Sequence, residues 1–375
     1  MSDGIKLNFF VSKDKLLQAL SYINSIVEKR HSIVVLSCVR IEARDQEIKL
    51  TSTDLDISII ASITAHVNVN GVVVVSAQLL YDIVKKLPND IEIKFFIGED
   101  GRLTIKCGRT EFFLPVVDIE KFPIIENNEL QNKFTLQVSE LVSLFGKTKF
   151  AISIEESRFN LNGLYVHTSN NILCCAATDG HRLSLTKLSQ SQNILSNFGI
   201  IVPKKTVNEI LKIVSHGSGN DLISISLSDR KICFEYKEYI LISKVIDGTF
   251  PDYNSIIPRS HDKNVLIESE TLSNAIDRVS VVVFDKVKVI KLRFVSNKLI
   301  LSAASSDQGD AREELEVDYS GEDMTIGLNA RYLMEALYCI KGKCLLSFYD
   351  AGTSVLIQEE ENIDDFTYII MPMRI

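Results

Sequence analysis

Met324-Thr325-Ile326-Gly327-Leu328-Asn329-Ala330-Arg331-Tyr332-Leu333-Met334-Glu335-Ala336-Leu337 reads as an apolar strand that stops at Asn329 and continues at once as a helix. The same arrangement occurs twice earlier. Val72-Val73-Val74-Val75 passes through Ser76 into Ala77-Gln78-Leu79-Leu80-Tyr81-Asp82-Ile83-Val84. Ile200-Ile201-Val202 passes through Pro203 into Lys204-Lys205-Thr206-Val207-Asn208-Glu209-Ile210-Leu211. Ser76, Pro203 and Asn329, the capping or breaking residues at the joints, lie 127 and 126 residues apart. A period of that length exceeds a solenoid repeat and is the size of a domain. The sequence therefore predicts one module used three times, with a function that depends on how the copies are arranged.

Three further landmarks keep the register. Leu16, Leu141 and Leu272, spaced by 125 and 131 residues, each sit in a helix that follows an opening strand and carries apolar residues three and four apart. Ser52-Thr53-Asp54, Ala177-Thr178-Asp179 and Ser305-Ser306-Asp307 each follow an apolar strand, with the aspartates 125 and 128 apart. Phe122-Pro123 and Phe250-Pro251, 128 apart, close what read as module ends. Between the helices, stretches such as 91–96, 222–227 and 343–348 alternate apolar and polar residues, the mark of antiparallel strands with one buried and one solvated face. Gly98-Glu99-Asp100-Gly101, Ser228-Asp229-Arg230 and Ser296-Asn297-Lys298 supply hairpin turns. The expected class is α+β, each module holding two helices and about eight strands. The boundaries fall at 1–128, 129–256 and 257–375, with short polar linkers at Glu126-Asn127-Asn128-Glu129 and at 258–262.

Hydrophobic residues make up 46% of the 375, which places the chain among globular proteins. The net charge is −8, from 41 basic and 49 acidic residues. That average argues against tight wrapping around nucleic acid, yet leaves room for a basic inner face on an acidic body. The seven cysteines form no Cys-x-x-Cys pair and lie mostly in apolar runs, so they read as reduced, buried thiols with no disulfide and no metal site. The first residues lack the layout of a signal peptide, and no run of apolar residues is long enough to span a bilayer, so a cytoplasmic protein with no membrane partner is expected.

Edge strands carry unpaired N–H and C=O groups. Pairing one module's edge with the next gives a continuous sheet, and self-association that closes the arc removes the two free ends. Two apolar runs are candidates for those ends, Arg109–Leu114 and Val279–Phe284; ordinary core is the alternative reading of both. The helices also carry cations: Lys13, Lys15, Lys29 and Arg30, Lys85 and Lys86, Lys147 and Lys149, Lys204, Lys205 and Lys212, Arg331 and Lys341. If the helices line one channel, these residues suit a sequence-independent phosphate partner; solvated helix faces are the alternative. Aromatic and basic residues are not interleaved as in single-strand binders, which favours a duplex.

The densest polar cluster is Ala176-Ala177-Thr178-Asp179-Gly180-His181-Arg182-Leu183, where Asp179 and His181 form the one candidate acid–base pair. No nucleophile elbow, phosphate-binding loop or zinc helix is present.

Ala177-Thr178-Asp179-Gly180-His181-Arg182-Leu183, Phe250-Pro251-Asp252-Tyr253 followed by Ile257-Pro258, the terminus Met371-Pro372-Met373-Arg374-Ile375 and Leu161-Asn162-Gly163 together resemble the bacterial DNA polymerase III β subunit family, the replicative sliding clamps. The resemblance covers essentially the whole chain. It implies three clamp domains per subunit and a head-to-tail homodimer that closes a six-domain ring around duplex DNA. It implies no catalysis and no cofactor. The implied partners are the polymerase III alpha subunit, an ATP-dependent clamp loader, and other polymerases and repair proteins bearing short motifs with Gln and Leu/Phe anchors. Carried over by position, the peptide cleft would use Leu161, Thr178, Gly180, His181, Arg182, Leu183, Pro251, Ile256, Ser354, Ile369, Met371, Pro372, Met373 and Arg374, with a mobile C-terminal segment shaping its rim. DNA contacts carry over to Arg30, Lys85, Lys204 and Lys205, and the dimer seam to Phe112 and Leu114 against Val281 and Val282. The sequence departs from the family pattern at Ser255, often arginine, at Asn160, often aromatic, and at Gln78 and Glu155, sometimes basic.

Overall fold

The computed structural model describes residues 6–27, 33–125, 130, 132–188, 197–258, 261–283, 288–305 and 309–375. Arg30, Phe284, Ser306, Asp307 and both linker centres, at 126–129 and 259–260, lie outside the described residues.

Among the described residues six α-helices are present: α1 (Lys13–Ile26), α2 (Ala77–Lys86), α3 (Val138–Gly146), α4 (Lys204–Val214), α5 (Ser269–Ser280) and α6 (Ala330–Leu337). Each of the three joints begins a helix as expected. The Ser76 hydroxyl accepts from the Leu79 N–H at 3.4 Å. The Asn329 side chain accepts from the N–H groups of Arg331 at 3.0 Å and Tyr332 at 3.4 Å. Both caps satisfy donors that the first helical turn leaves without a partner. The buried stripes match: Ala77, Leu80, Ile83 and Val84 on α2, and Ala330, Leu333, Ala336 and Leu337 on α6. Leu16, Leu141 and Leu272 are likewise buried. One expected surface cation is not on the surface: Lys13 is buried, its ammonium donating to Leu87 O and Asn89 Oδ1, both at 2.6 Å. The first residue of α1 thus pins the end of α2 and has no role in binding phosphate.

Among the described residues the first copy holds nine strands and the other two hold eight each, all paired antiparallel. The chain divides into two compact units, Met1–Val138 with Lys205–Val245, and Ser139–Lys204 with Ile246–Ile375, so the middle copy contributes to both. In the first unit an eight-stranded sheet is continuous across copies: Tyr239–Lys244 pairs with Ile57–Thr64, placing Leu241 opposite Ile59. In the second unit the equivalent seam joins Phe366–Ile370 to Arg182–Leu188, with Ile369 opposite Leu183. Edge pairing between neighbouring copies is thus realised at both junctions. A five-stranded sheet in the first unit ends on Thr110–Leu114, and a four-stranded sheet in the second ends on Gly309–Glu316. Each is an edge with no partner strand among the described residues.

The repeated Thr-Asp string is a repeated turn. Thr53 Oγ1 donates to Ile57 O at 2.9 Å, and Thr178 Oγ1 to Arg182 O at 2.6 Å. Asp54 Oδ1 accepts from the N–H groups of Asp56 and Ile57, and Asp179 Oδ1 from those of His181 and Arg182. The residue after the aspartate takes positive φ in both turns, 80° at Leu55 and 89° at Gly180. Glycine adopts that conformation freely, whereas leucine is strained there.

Candidate functional site

In the second unit the turn, the terminal strand and α6 converge. Leu161, Leu183 and Ile369 belong to one buried apolar cluster with Leu356, Phe250 and Tyr253. Phe250 and Tyr253 explain the Phe-Pro-Asp-Tyr string. Phe250 stacks on Tyr165 at 4.9 Å, Tyr165 stacks on His167 at 4.4 Å, and Tyr253 O–H and His167 Nε2 share a 2.8 Å hydrogen bond. The rings floor the site, with Pro251 exposed beside them and Ile256 partly so.

Burial pushes the His167 imidazole down to about 4. Above about pH 6.5 the ring is neutral in both the folded and the unfolded chain. Between pH 6.5 and 4 only the unfolded chain takes up the proton, so folding stability is lost as pH falls through that window. The expected loss is about 3 kcal/mol at most. Urea titrations at pH 7.5 and 4.5 should show it, and His167→Gln should remove that part of the difference while leaving the contribution of the carboxylates.

Beside the floor lies a cavity of about 150 Å³ lined by His181, Asn329, Tyr332, Met371, Pro372 and Met373. Met371-Pro372-Met373 forms its rim. Met371 N–H donates to His181 O at 2.9 Å and Met373 N–H to Gly327 O at 2.8 Å, so the terminal segment is held on both sides. Gly327 is what permits the second contact: a Cβ there would lie 2.1 Å from Ile375 Cγ2 and 2.8 Å from Met373 O. Gly327→Ala should displace the rim and weaken a peptide bound in the cavity roughly tenfold, a change of about 1.4 kcal/mol, while shifting stability less. Parallel binding and unfolding titrations check this.

Arg182 builds the wall. Its side chain is almost wholly buried, with Nε 2.9 Å from Asp179 Oδ2, Nη1 on Glu335 Oε2 and Nη2 on Phe150 O. The guanidinium also lies 4.2 Å from the centre of the Tyr332 ring. Tyr332 is fixed from behind by the Tyr368 O–H, which donates to its carbonyl at 2.9 Å. Arg182 therefore positions Tyr332 and is not itself free to meet a ligand. The Asp179 carboxylate is taken up by Arg182 and two backbone N–H groups, and among the described residues it makes no bond to the His181 ring. This leaves an acid–base reading of the pair without its orienting carboxylate.

Thr178 and Gly180 lie in the turn, and Ser354 is buried at the start of strand Val355–Glu359, whose Val355 pairs with Ile370. Met371 is 43% exposed, a flexible apolar lip suited to varied ligand shapes. Arg374 is exposed. Two lining residues were not assigned from the sequence, Asn329 and Tyr332. Asn329 was visible as a helix cap, and Tyr332 lies three residues on, where the first turn of a helix must face the same way.

Of the four candidate DNA contacts, Lys85 is exposed on α2, and Lys204 has no ion pair among the described residues. Lys205 is committed elsewhere: its ammonium donates to Ile26 O at 3.0 Å and to Asp54 Oδ2 at 2.5 Å. Arg30 is outside the described residues. At the candidate seam Leu114 is 2% exposed and faces the core, Phe112 is half-buried, and Phe113 is the apolar residue the strand shows to solvent, at 50%. Val281 is 63% exposed just past α5, with Val282 partly buried.

Comparison with known proteins agrees over the whole length. Residues 7–126, 135–252 and 254–374 match the N-terminal, central and C-terminal domains of the DNA polymerase III beta subunit. The beta sliding clamp of Caulobacter vibrioides is 36% identical over 97% of this chain and 99% of that protein. That of Rickettsia felis is 34% identical over 98% and 100%. Among solved structures, the Caulobacter crescentus beta sliding clamp superposes with a TM-score of 0.95 at 35% identity, covering 99% of both chains. The Bartonella birtlesii sliding clamp bound to griselimycin superposes at 0.94 with 33% identity, covering 99% of this chain and 100% of that one. Three clamp domains of helices on open antiparallel sheets, matched end to end in sequence and in fold, place the chain in the DNA polymerase III beta subunit family.

Proposed function

We propose that this chain is a replicative sliding clamp: two copies close head to tail into a six-domain ring around duplex DNA and tether the polymerase through the cleft on the second unit. Full-length kinship with beta sliding clamps carries this reading. The domains would run 1–128, 129–256 and 257–375. The clamp performs no reaction of its own and works in the cytoplasm. Among the described residues no helix is long and apolar enough to cross a membrane.

The physical logic is topological. A chain of net charge −8 gains little from phosphate contacts, and Lys85 and Lys204 offer weak, sequence-independent attraction that permits sliding. Retention then comes from enclosure. The unpaired edges Thr110–Leu114 and Gly309–Glu316, with Phe112, Phe113, Val281 and Val282 about them, are the surfaces that two copies would bring together; Leu114 of the expected seam faces the core instead. The cavity and the apolar floor beside it suit short peptides with Gln and Leu/Phe anchors, from the polymerase alpha subunit, the clamp loader and repair polymerases.

The experiment is loading onto nicked circular DNA by a bacterial clamp loader. Retention on circles and rapid loss after linearisation are expected. Equal retention on both forms would refute encirclement, and failure to associate with DNA while still binding peptides would identify a peptide scaffold instead.

A further inference from the structure

A second groove of about 230 Å³ lies on the far side of the cavity wall. It shares His181, Asn329 and Tyr332 with the cavity, so the two spaces are continuous around one side chain of α6 and one turn. Its own walls are Phe150, Ile152 and Ile154, with Lys204 and Arg331 at the rim. Ile154 is 79% exposed, the most exposed large apolar side chain among the described residues. The carboxylates nearby are already engaged: Asp179 holds Arg182, and Glu155 lies 3.5 Å from Arg158. Arg331 is paired with Glu335 at 3.2 Å. That leaves the Lys204 ammonium as the one cation of the groove without an ion pair among the described residues.

We propose that this groove is an extension of the peptide cleft that receives an apolar residue followed by an acidic one, contributed by a partner segment next to its anchor residues. The inference rests on the cleft being a peptide site and adds a specificity element to it. The apolar side chain would cover Ile154, and its acidic neighbour would meet Lys204. Continuity with the peptide cavity through His181, Asn329 and Tyr332 favours a peptide segment as the occupant, and Lys204, a weak phosphate contact when no partner is docked, would then meet the acidic side chain instead.

The test uses the full chain and fluorescein-labelled synthetic peptides. One is a minimal peptide with Gln, Leu and Phe anchors. Two others carry an added Leu-Asp pair, one at each end. One extended peptide should bind roughly tenfold more tightly than the minimal one, the yield of burying one leucine with imperfect packing. Ile154→Ser should erase that gain and leave the minimal peptide unaffected. Changing the peptide Asp to Lys should cost the charge contribution, and Lys204→Glu should restore it for the Lys peptide only. No gain from either extension, or a gain indifferent to Ile154 and Lys204, overturns the proposal. Displacement of the extended peptide by a single-stranded oligonucleotide but not by the minimal peptide would also overturn it, assigning the groove to nucleic acid. Failure of the minimal peptide itself to bind would be a separate result, against the cleft.

Discussion

Arg182→Ala should destabilise the second compact unit by about 3–5 kcal/mol and abolish peptide binding in the cleft. The guanidinium is buried against Asp179, Glu335, the Phe150 carbonyl and the Tyr332 ring. Removing it leaves the largely buried Asp179 carboxylate without a counter-ion and Glu335 with Arg331 alone, and the penalty is mainly that of uncompensated charge, not of one lost contact. Tyr332 loses the plane it rests on, so the cavity wall collapses or swings. Arg182→Lys keeps the charge but not the fork that serves three acceptors at once, and it should fall between wild type and alanine. Urea unfolding followed by far-ultraviolet circular dichroism, with peptide anisotropy in parallel, measures both effects. An alanine variant within about 0.5 kcal/mol of wild type would show that the network is ornamental.

Val281→Asp should dissociate the dimer without disturbing the fold. The side chain is 63% exposed in the protomer, so a carboxylate there meets water as readily as a methyl group does. In the proposed ring the same position is covered by an apolar strand, and an unpaired charge would be buried. A ring of two subunits has two such seams, so the substitution acts twice. Several kcal/mol in total corresponds to a rise in dissociation constant on the order of a thousandfold. Sedimentation equilibrium should report monomers, with an unchanged circular dichroism spectrum and loss of retention on circular DNA. An undisturbed dimer would place the seam elsewhere. Phe113→Asp offers an independent check on the opposite edge, because Phe113, not Leu114, is the residue that strand shows to solvent.

Much of the architecture could be read from periodicity. The joints at Ser76, Pro203 and Asn329 begin α2, α4 and α6, because a cap or a proline after an apolar strand leaves the backbone few alternatives. The alternating runs became antiparallel strands for the same local reason. The state of individual charges was not legible. Lys13, Lys85, Lys204 and Lys205 look alike along the chain, yet one is buried on two oxygens, one lies over the Tyr81 ring, one has no ion pair among the described residues and one is tied to Asp54. The partner of a long cationic side chain is set by what folding brings near it, and sequence separation says nothing about that. The rim is a similar case: nothing in Met371-Pro372-Met373 announces that the carbonyls of His181 and Gly327 accept from its backbone.

Three copies, their two helices apiece and the antiparallel class follow from spacing and hydrophobic rhythm alone, because those patterns act within a few residues of themselves. Which junction becomes a cleft does not. The same Thr-Asp turn stands at both seams, and the strand that follows docks in the same way, Lys244 N–H on Asp56 O in one and Met371 N–H on His181 O in the other. In the first unit those two positions close into an ion pair, Lys244 to Asp56 at 3.0 Å. In the second they are an imidazole and a thioether, which cannot pair, and a cavity remains between them and Tyr332. That difference arises between residues more than 180 positions apart, so only the packed chain could reveal it.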